Sequence, residues 1–128
     1  MIEVELENRS GVEVDESGAV ALACHALAEE GLDAAEVGIA FVDRDEIRVL
    51  KSEHLGIDEA TDVLSFPIDG LDDLPDGVPR ALGDVVLCPQ VVGDEWRWPL
   101  VHGILHLLGY EHGDAMERRE REILEGAA

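Results

Sequence analysis

Apolar and acidic residues alternate along "IEVELEN", residues 2 to 8, and that period of two predicts a half-buried strand. The period then changes. "SGAVALACHALAEEG" is rich in alanine and leucine, with Ser17 placed as an N-cap and Gly31 where a left-handed C-cap belongs, so it predicts a helix. "VGIAFV", 37 to 42, predicts a second strand. Asp43 with Glu46 three residues later makes a capping-box-like start to a helix running to about His54 and closed by Gly56. "DVLSF", ended by Pro67, and "LGDVVLC", ended by Pro89, predict two more strands around a loop rich in Gly, Asp and Pro. From about Trp96 to Leu108 the chain is apolar nearly all round, the mark of a buried helix, and Gly109 stops it. Residues from Asp114 to Glu125 predict a last, amphipathic helix that touches the core through Met116, Ile123 and Leu124.

The order βαβα, ββ, αα predicts an α+β (α/β-like) fold, a small mixed sheet of about four strands with helices packed on it. At 128 residues the chain suits a single domain, 1–128, with one core. Its longest apolar stretches fall far short of the ~20 residues of a membrane span, so no membrane partner is expected. Residues 1 to 16 carry Glu3, Glu5, Glu7, Glu13, Asp15 and Glu16, with no basic stretch leading into an apolar one. Cys24 and Cys88 form no Cys-x-x-Cys pair and are expected to be small buried thiols. Both features point to a cytoplasmic protein in a reducing compartment. Thirty acidic against nine basic side chains give a formal net charge of −21, which disfavours passive attraction to polyanions. Arg118, Arg119 and Arg121, interleaved with Glu117, Glu120 and Glu122, predict a solvated helix face.

Chemistry concentrates in "HGILHLLGYEH", residues 102 to 112, which holds three of the five histidines inside the most apolar part of the chain. His102 and His106, four apart on a helix, stand about 40° apart around its axis and about 6 Å along it. They share a face. After Gly109, a short turn through Tyr110 and Glu111 can bring His112 back toward them, placing a metal site at the end of a buried helix. Three imidazoles among Ile104, Leu105, Leu107 and Leu108 each need a partner in a dry setting, and a shared metal satisfies all three. Three nitrogen ligands with a fourth position left to water describe an open zinc site, one ion per chain, although nickel or copper suits the same donors. His25 sits mid-helix and His54 at a helix end, where neither needs a functional role. The spacing is also that of metzincin peptidases, whose general base follows the first histidine directly. That position is Gly103, so a peptidase would lack its proton acceptor. Glu111 beside the third histidine is a possible general base or a support for the ligands.

"HGILHLLGYEH" closely resembles the signature His-Gly-x-Leu-His-Leu-x-Gly-Tyr-Asp-His of the YbeY metalloproteins, endoribonucleases of ribosomal RNA maturation. "TDVLSFP", 61 to 67, and "LGDVVLCP", 82 to 89, resemble two further blocks of that family in the same order. The resemblance implies zinc on His102, His106 and His112, and hydrolysis of phosphodiester bonds in single-stranded RNA. The setting implied is 16S rRNA 3′ end processing and ribosome quality control, with precursor ribosomal RNA, the ribosome and ribosomal proteins as partners. It also brings Thr61, Asp62, Ser65 and Asp84 forward as residues lining the site, although Thr and Ser at a strand end often bond backbone and Gly83-Asp84 suits a turn. Some positions depart from the pattern. An arginine about six residues before the threonine is Leu55 here, an asparagine is Lys51, the signature aspartate is Glu111, and only "QVVGDEWRWPL" separates "LCP" from the histidine helix. Contacts to phosphate then fall to Lys51, Arg80, Arg97, Arg118, Arg119 and Arg121, or to ribosomal proteins that present the RNA. Two other functions fit the same sequence: a metal-stabilised ribosome-assembly factor with little catalysis, and a zinc hydrolase on another substrate.

Overall fold

The computed structural model describes residues 1–53 and 63–127. Strand β1 (Ile2–Asn8) keeps the alternation of its sequence: Ile2, Val4 and Leu6 pack against the core while Glu3, Glu5 and Glu7 face solvent. Strands β2 (Ala35–Phe41), β3 (Val63–Pro67) and β4 (Ala81–Leu87) complete one four-stranded sheet in the order β1-β2-β4-β3. β1 and β4 both pair parallel to β2, and β3 runs antiparallel to β4, so the sheet is mixed, as the element order implied.

Helices α1 (Glu16–Glu29), α4 (Arg97–Leu107) and α5 (Asp114–Gly126) cover one face. α4 packs on β3 and β4, beside α1 and under α5. Enclosed in this way from Pro99 to Leu105, it is apolar nearly all round there. The opposite face carries a smaller cluster, in which Val42, Leu64, Val86 and Cys88 meet Ile47 of α2 (Arg44–Glu53). Asp43 caps α2 as its spacing predicted, accepting from the Glu46 backbone N–H at 2.8 Å. The cap of α1 differs from expectation. Asp15, not Ser17, accepts from the Gly18 N–H at 3.0 Å, and its charge also suits the positive end of the helix. Gly31 (φ +80°) and Gly109 (φ +95°) take the left-handed conformation expected of them. One short helix, α3 (Pro89–Val92), was not predicted; Pro89 at its start fixes a helical φ.

α4 lies unusually close to the sheet. A Cβ on Gly103 would stand 2.6 Å from Val85 Cγ1 and 3.1 Å from Val63 Cγ2. The glycine that breaks the peptidase pattern is therefore also the point where backbone meets strand. The position faces β3 and β4, with no room there for a glutamate.

Candidate metal centre

His102 projects from the middle of α4 and is 6% exposed. Its Nδ1 lies 2.7 Å from Glu120 Oε1 on α5, and because an ionised carboxylate only accepts, that nitrogen donates. His106, one turn on, donates from Nδ1 to the backbone carbonyl of Tyr110 at 3.0 Å. In each neutral ring the proton is thereby assigned to Nδ1, leaving Nε2 as the acceptor. The two Nε2 atoms face each other at 3.2 Å. Lone pairs at that distance repel unless a proton or a cation lies between them. Two nitrogens about 2.0–2.1 Å from one tetrahedral zinc ion stand about 3.3 Å apart, so the spacing fits a shared metal.

His112 completes the group. Gly109 ends α4, the chain turns through Tyr110 and Glu111, and the His112 ring comes to 5.0 Å from that of His102 and 4.6 Å from that of His106, centre to centre. One ligand atom from each of the three lies within 4.8 Å of the others, so together they could hold a metal ion. The three positions grade from buried through half-buried to exposed. The centre is open on the His112 side. Burial, and then the nearby Glu30 carboxylate, push the Tyr110 phenol above the ordinary tyrosine range. Arg119 on α5 holds that Glu30 at 2.5 Å and bonds the Glu29 carbonyl at 2.7 Å. Arg119 is thus a tie between α5 and the end of α1, where the sequence pattern predicted a solvated face.

The other expected site residues separate. Ser65 is buried beneath α4, and its hydroxyl donates to the Gly103 carbonyl at 3.0 Å, a bond that seats the helix on the sheet. Asp84 does not join the histidines. It is exposed on the opposite face of the sheet, its carboxylate over Gly38 and beside Glu5, Glu7 and Arg9, because strand alternation sends Val85 toward α4 and Asp84 away from it. Nor does Gly83-Asp84 make a turn; both residues sit inside β4. Glu111 is exposed and next to His112. Thr61, Asp62, Leu55, His54 and Gly56 lie outside the described residues. His25 donates from Nε2 to the Ile123 carbonyl at 3.2 Å, a structural bond between α1 and α5. Cys88 is buried as expected and Cys24 only half-buried; both are free thiols. A cavity of about 350 Å³ adjoins His106 and Gly109, lined also by Asp69, Leu71 and Asp72.

Sequence reasoning missed Glu120 and Trp98. Glu120 is 3% exposed, and Trp98 stacks on His102 with ring centres 4.8 Å apart. The signal was present in both cases. Glu120 falls between Met116 and Ile123 at core-facing spacing, and Trp98 stands one turn before His102.

A family model described as Endoribonuclease YbeY matches residues 4–127. The chain belongs to the YbeY family. Relatives called Endoribonuclease YbeY include that of Salinispora tropica, 38% identical over 95% of this chain and 90% of its own length. The one from Acidothermus cellulolyticus is 42% identical, covering 94% of this chain and 84% of its own. That from Pseudarthrobacter chlorophenolicus is 39% identical over 96% and 91% respectively. Among solved structures, a Thermotoga maritima protein determined in solution shares the fold, with a TM-score of 0.56 and 26% identity over 99% of this chain and 89% of that one. The mixed sheet with packed helices is thus the architecture expected from the YbeY resemblance. Among the described residues, no helix is long and apolar enough to cross a membrane.

Proposed function

We propose that this YbeY family member is a metal-dependent endoribonuclease and that residues 1–128 form its single domain. His102, His106 and His112 are assigned as ligands of one ion per chain. Zinc is the assignment for that ion, on the strength of three imidazole nitrogens and an open side, with nickel and copper as chemical alternatives. The observation that carries the reading is the pair of Nε2 atoms 3.2 Å apart, each on a ring whose Nδ1 proton is already committed. When bound, such an ion polarises a phosphoryl oxygen and lowers the pKa of water beside it.

The substrate assigned is single-stranded RNA in ribosomal precursors, with 16S rRNA 3′ end processing and ribosome quality control in the cytoplasm as the setting. Support comes from the names of the relatives and from the three sequence blocks shared with the family. Glu111, exposed beside His112, is assigned to accept a proton from the attacking water. Thr61 is assigned to the site on its family block alone. Ser65 and Asp84 are left out, the first because its hydroxyl is committed to α4 and the second because it lies across the sheet.

One observation favours a second reading, in which the protein is chiefly a metal-stabilised assembly factor. The cavity beside His106 carries Asp69 and Asp72, in a chain of net charge −21, and neither attracts phosphate. In this reading the metal serves stability and the function lies in binding ribosomal partners, whereas a nuclease would rely on ribosomal proteins to present the RNA. The test compares wild type with His102→Ala on a single-stranded precursor RNA, free and on ribosomal particles. Cleavage of either substrate by the wild type, reduced at least a hundredfold in the variant, supports the nuclease. Equal cleavage by both proteins contradicts it, and no cleavage of either substrate favours the assembly factor.

A further inference from the structure

Glu120 is the most deeply buried acidic side chain among the described residues, at 3% exposure, and neither the fold nor the ligand assignment requires a carboxylate there. Burying one is costly unless strong donors meet it. Two do. His102 Nδ1–H reaches Oε1 at 2.7 Å and Trp98 Nε1–H reaches Oε2 at 2.5 Å, so each oxygen has its own ring N–H. Both donors stand on one face of α4, four residues apart, with their rings stacked at 28°. We propose that Glu120, braced by Trp98, is a positioning residue of the centre: it holds the His102 proton on Nδ1 and turns Nε2 toward His106 and His112.

Charge opposes the alternative tautomer. With the proton on Nε2, a bare Nδ1 would face a carboxylate oxygen at 2.7 Å. An anionic partner also makes the ring a stronger donor to a metal, as carboxylates behind ligating histidines do. His106 is supported by a neutral carbonyl instead, that of Tyr110. His102 is therefore the stronger of the two ligands, and its strength comes from another helix. Trp98 is 46% exposed, and its stacked ring covers one face of His102 while its N–H stops Glu120 from rotating away.

The inference builds on the ligand assignment of His102, and the test keeps the two apart. Glu120→Gln preserves shape but removes the charge and one acceptor oxygen; Trp98→Phe preserves a stacked ring and removes the N–H. Long-range proton–nitrogen NMR of the metal-free wild type at about pH 8, where imidazole is neutral, should show His102 with its proton on Nδ1. In chelator competition, E120Q should bind zinc about 10–100-fold more weakly, with a several-fold loss for W98F and a folded metal-free state in both. A His102 proton on Nε2 in wild type overturns the proposal, as does a folded E120Q with zinc affinity within twofold of wild type. If E120Q does not fold, the wild-type tautomer decides. If the wild type binds no zinc, the ligand assignment fails, while an Nδ1 proton would still uphold the hold of Glu120 on His102.

Discussion

Gly103 shows how one residue can serve packing and chemistry at once. The helix backbone can approach β3 and β4 only without a side chain there, since a Cβ would meet Val85 Cγ1 at 2.6 Å, and Ser65 secures the approach by bonding the Gly103 carbonyl. Gly103→Ala should therefore destabilise the metal-free fold by about 1–3 kcal/mol, despite the better helix propensity of alanine. Urea unfolding measures this, and a neutral or stabilising result would mean that α4 can lift from the sheet freely. Tyr110 offers a second test, read by pH. Its phenol titrates above the ordinary tyrosine range in the folded chain because of burial and Glu30. The folded form then holds its proton more tightly than the unfolded chain. The stability this contributes is complete below the ordinary tyrosine value of about 10 and is lost as pH rises through the raised value. Unfolding measured between about pH 9 and 12 should show a fall that Tyr110→Phe removes; identical profiles would contradict the contact with Glu30.

At the scale of elements, α4 organises the centre. Its position between sheet and α5 buries His102, its last turn supplies His106, and the glycine after it frees the chain to return with His112. Much of this was legible. Period-two alternation marked β1, the all-round apolar pattern marked α4, and the four-residue histidine spacing marked a shared face, because each signal is local to one element. What was not legible depends on how elements meet. Glu120 read as one more charge in a run of alternating signs, and only the packing of α5 over α4 makes it a partner of His102 and Trp98. Arg119 was misread for the same reason, since Glu30 caps the end of α1, far away in the sequence. Asp84 was placed near the histidines by its family block, yet the face on which a strand residue emerges depends on which neighbour packs on which side. Ser17 lost the capping position to Asp15 because two good caps stand two residues apart and propensity alone does not rank them.

For the whole molecule, the net charge of −21 sets the terms on which it meets RNA. The open sheet face gathers Glu5, Glu7 and Asp84 around a cavity of about 390 Å³, and Arg9, the cation there, is held by Glu7 and Glu46. Arg80 is likewise committed, to the Gly70 carbonyl at 2.7 Å. With nine basic side chains against thirty acidic ones, a metal held by the three histidines would add positive charge where the centre meets a polyanion. The central claim is therefore the ion itself. Elemental analysis of protein prepared without chelators, and repeated after equilibration at about pH 5, tests it most directly, because imidazole ligates only in its neutral form. The expected result is one zinc, or one ion of similar chemistry, per wild-type chain at neutral pH. The ion should be lost at the lower pH and absent from His102→Ala, His106→Ala and His112→Ala. Wild-type protein without metal, or three variants that each retain a full equivalent, would contradict it.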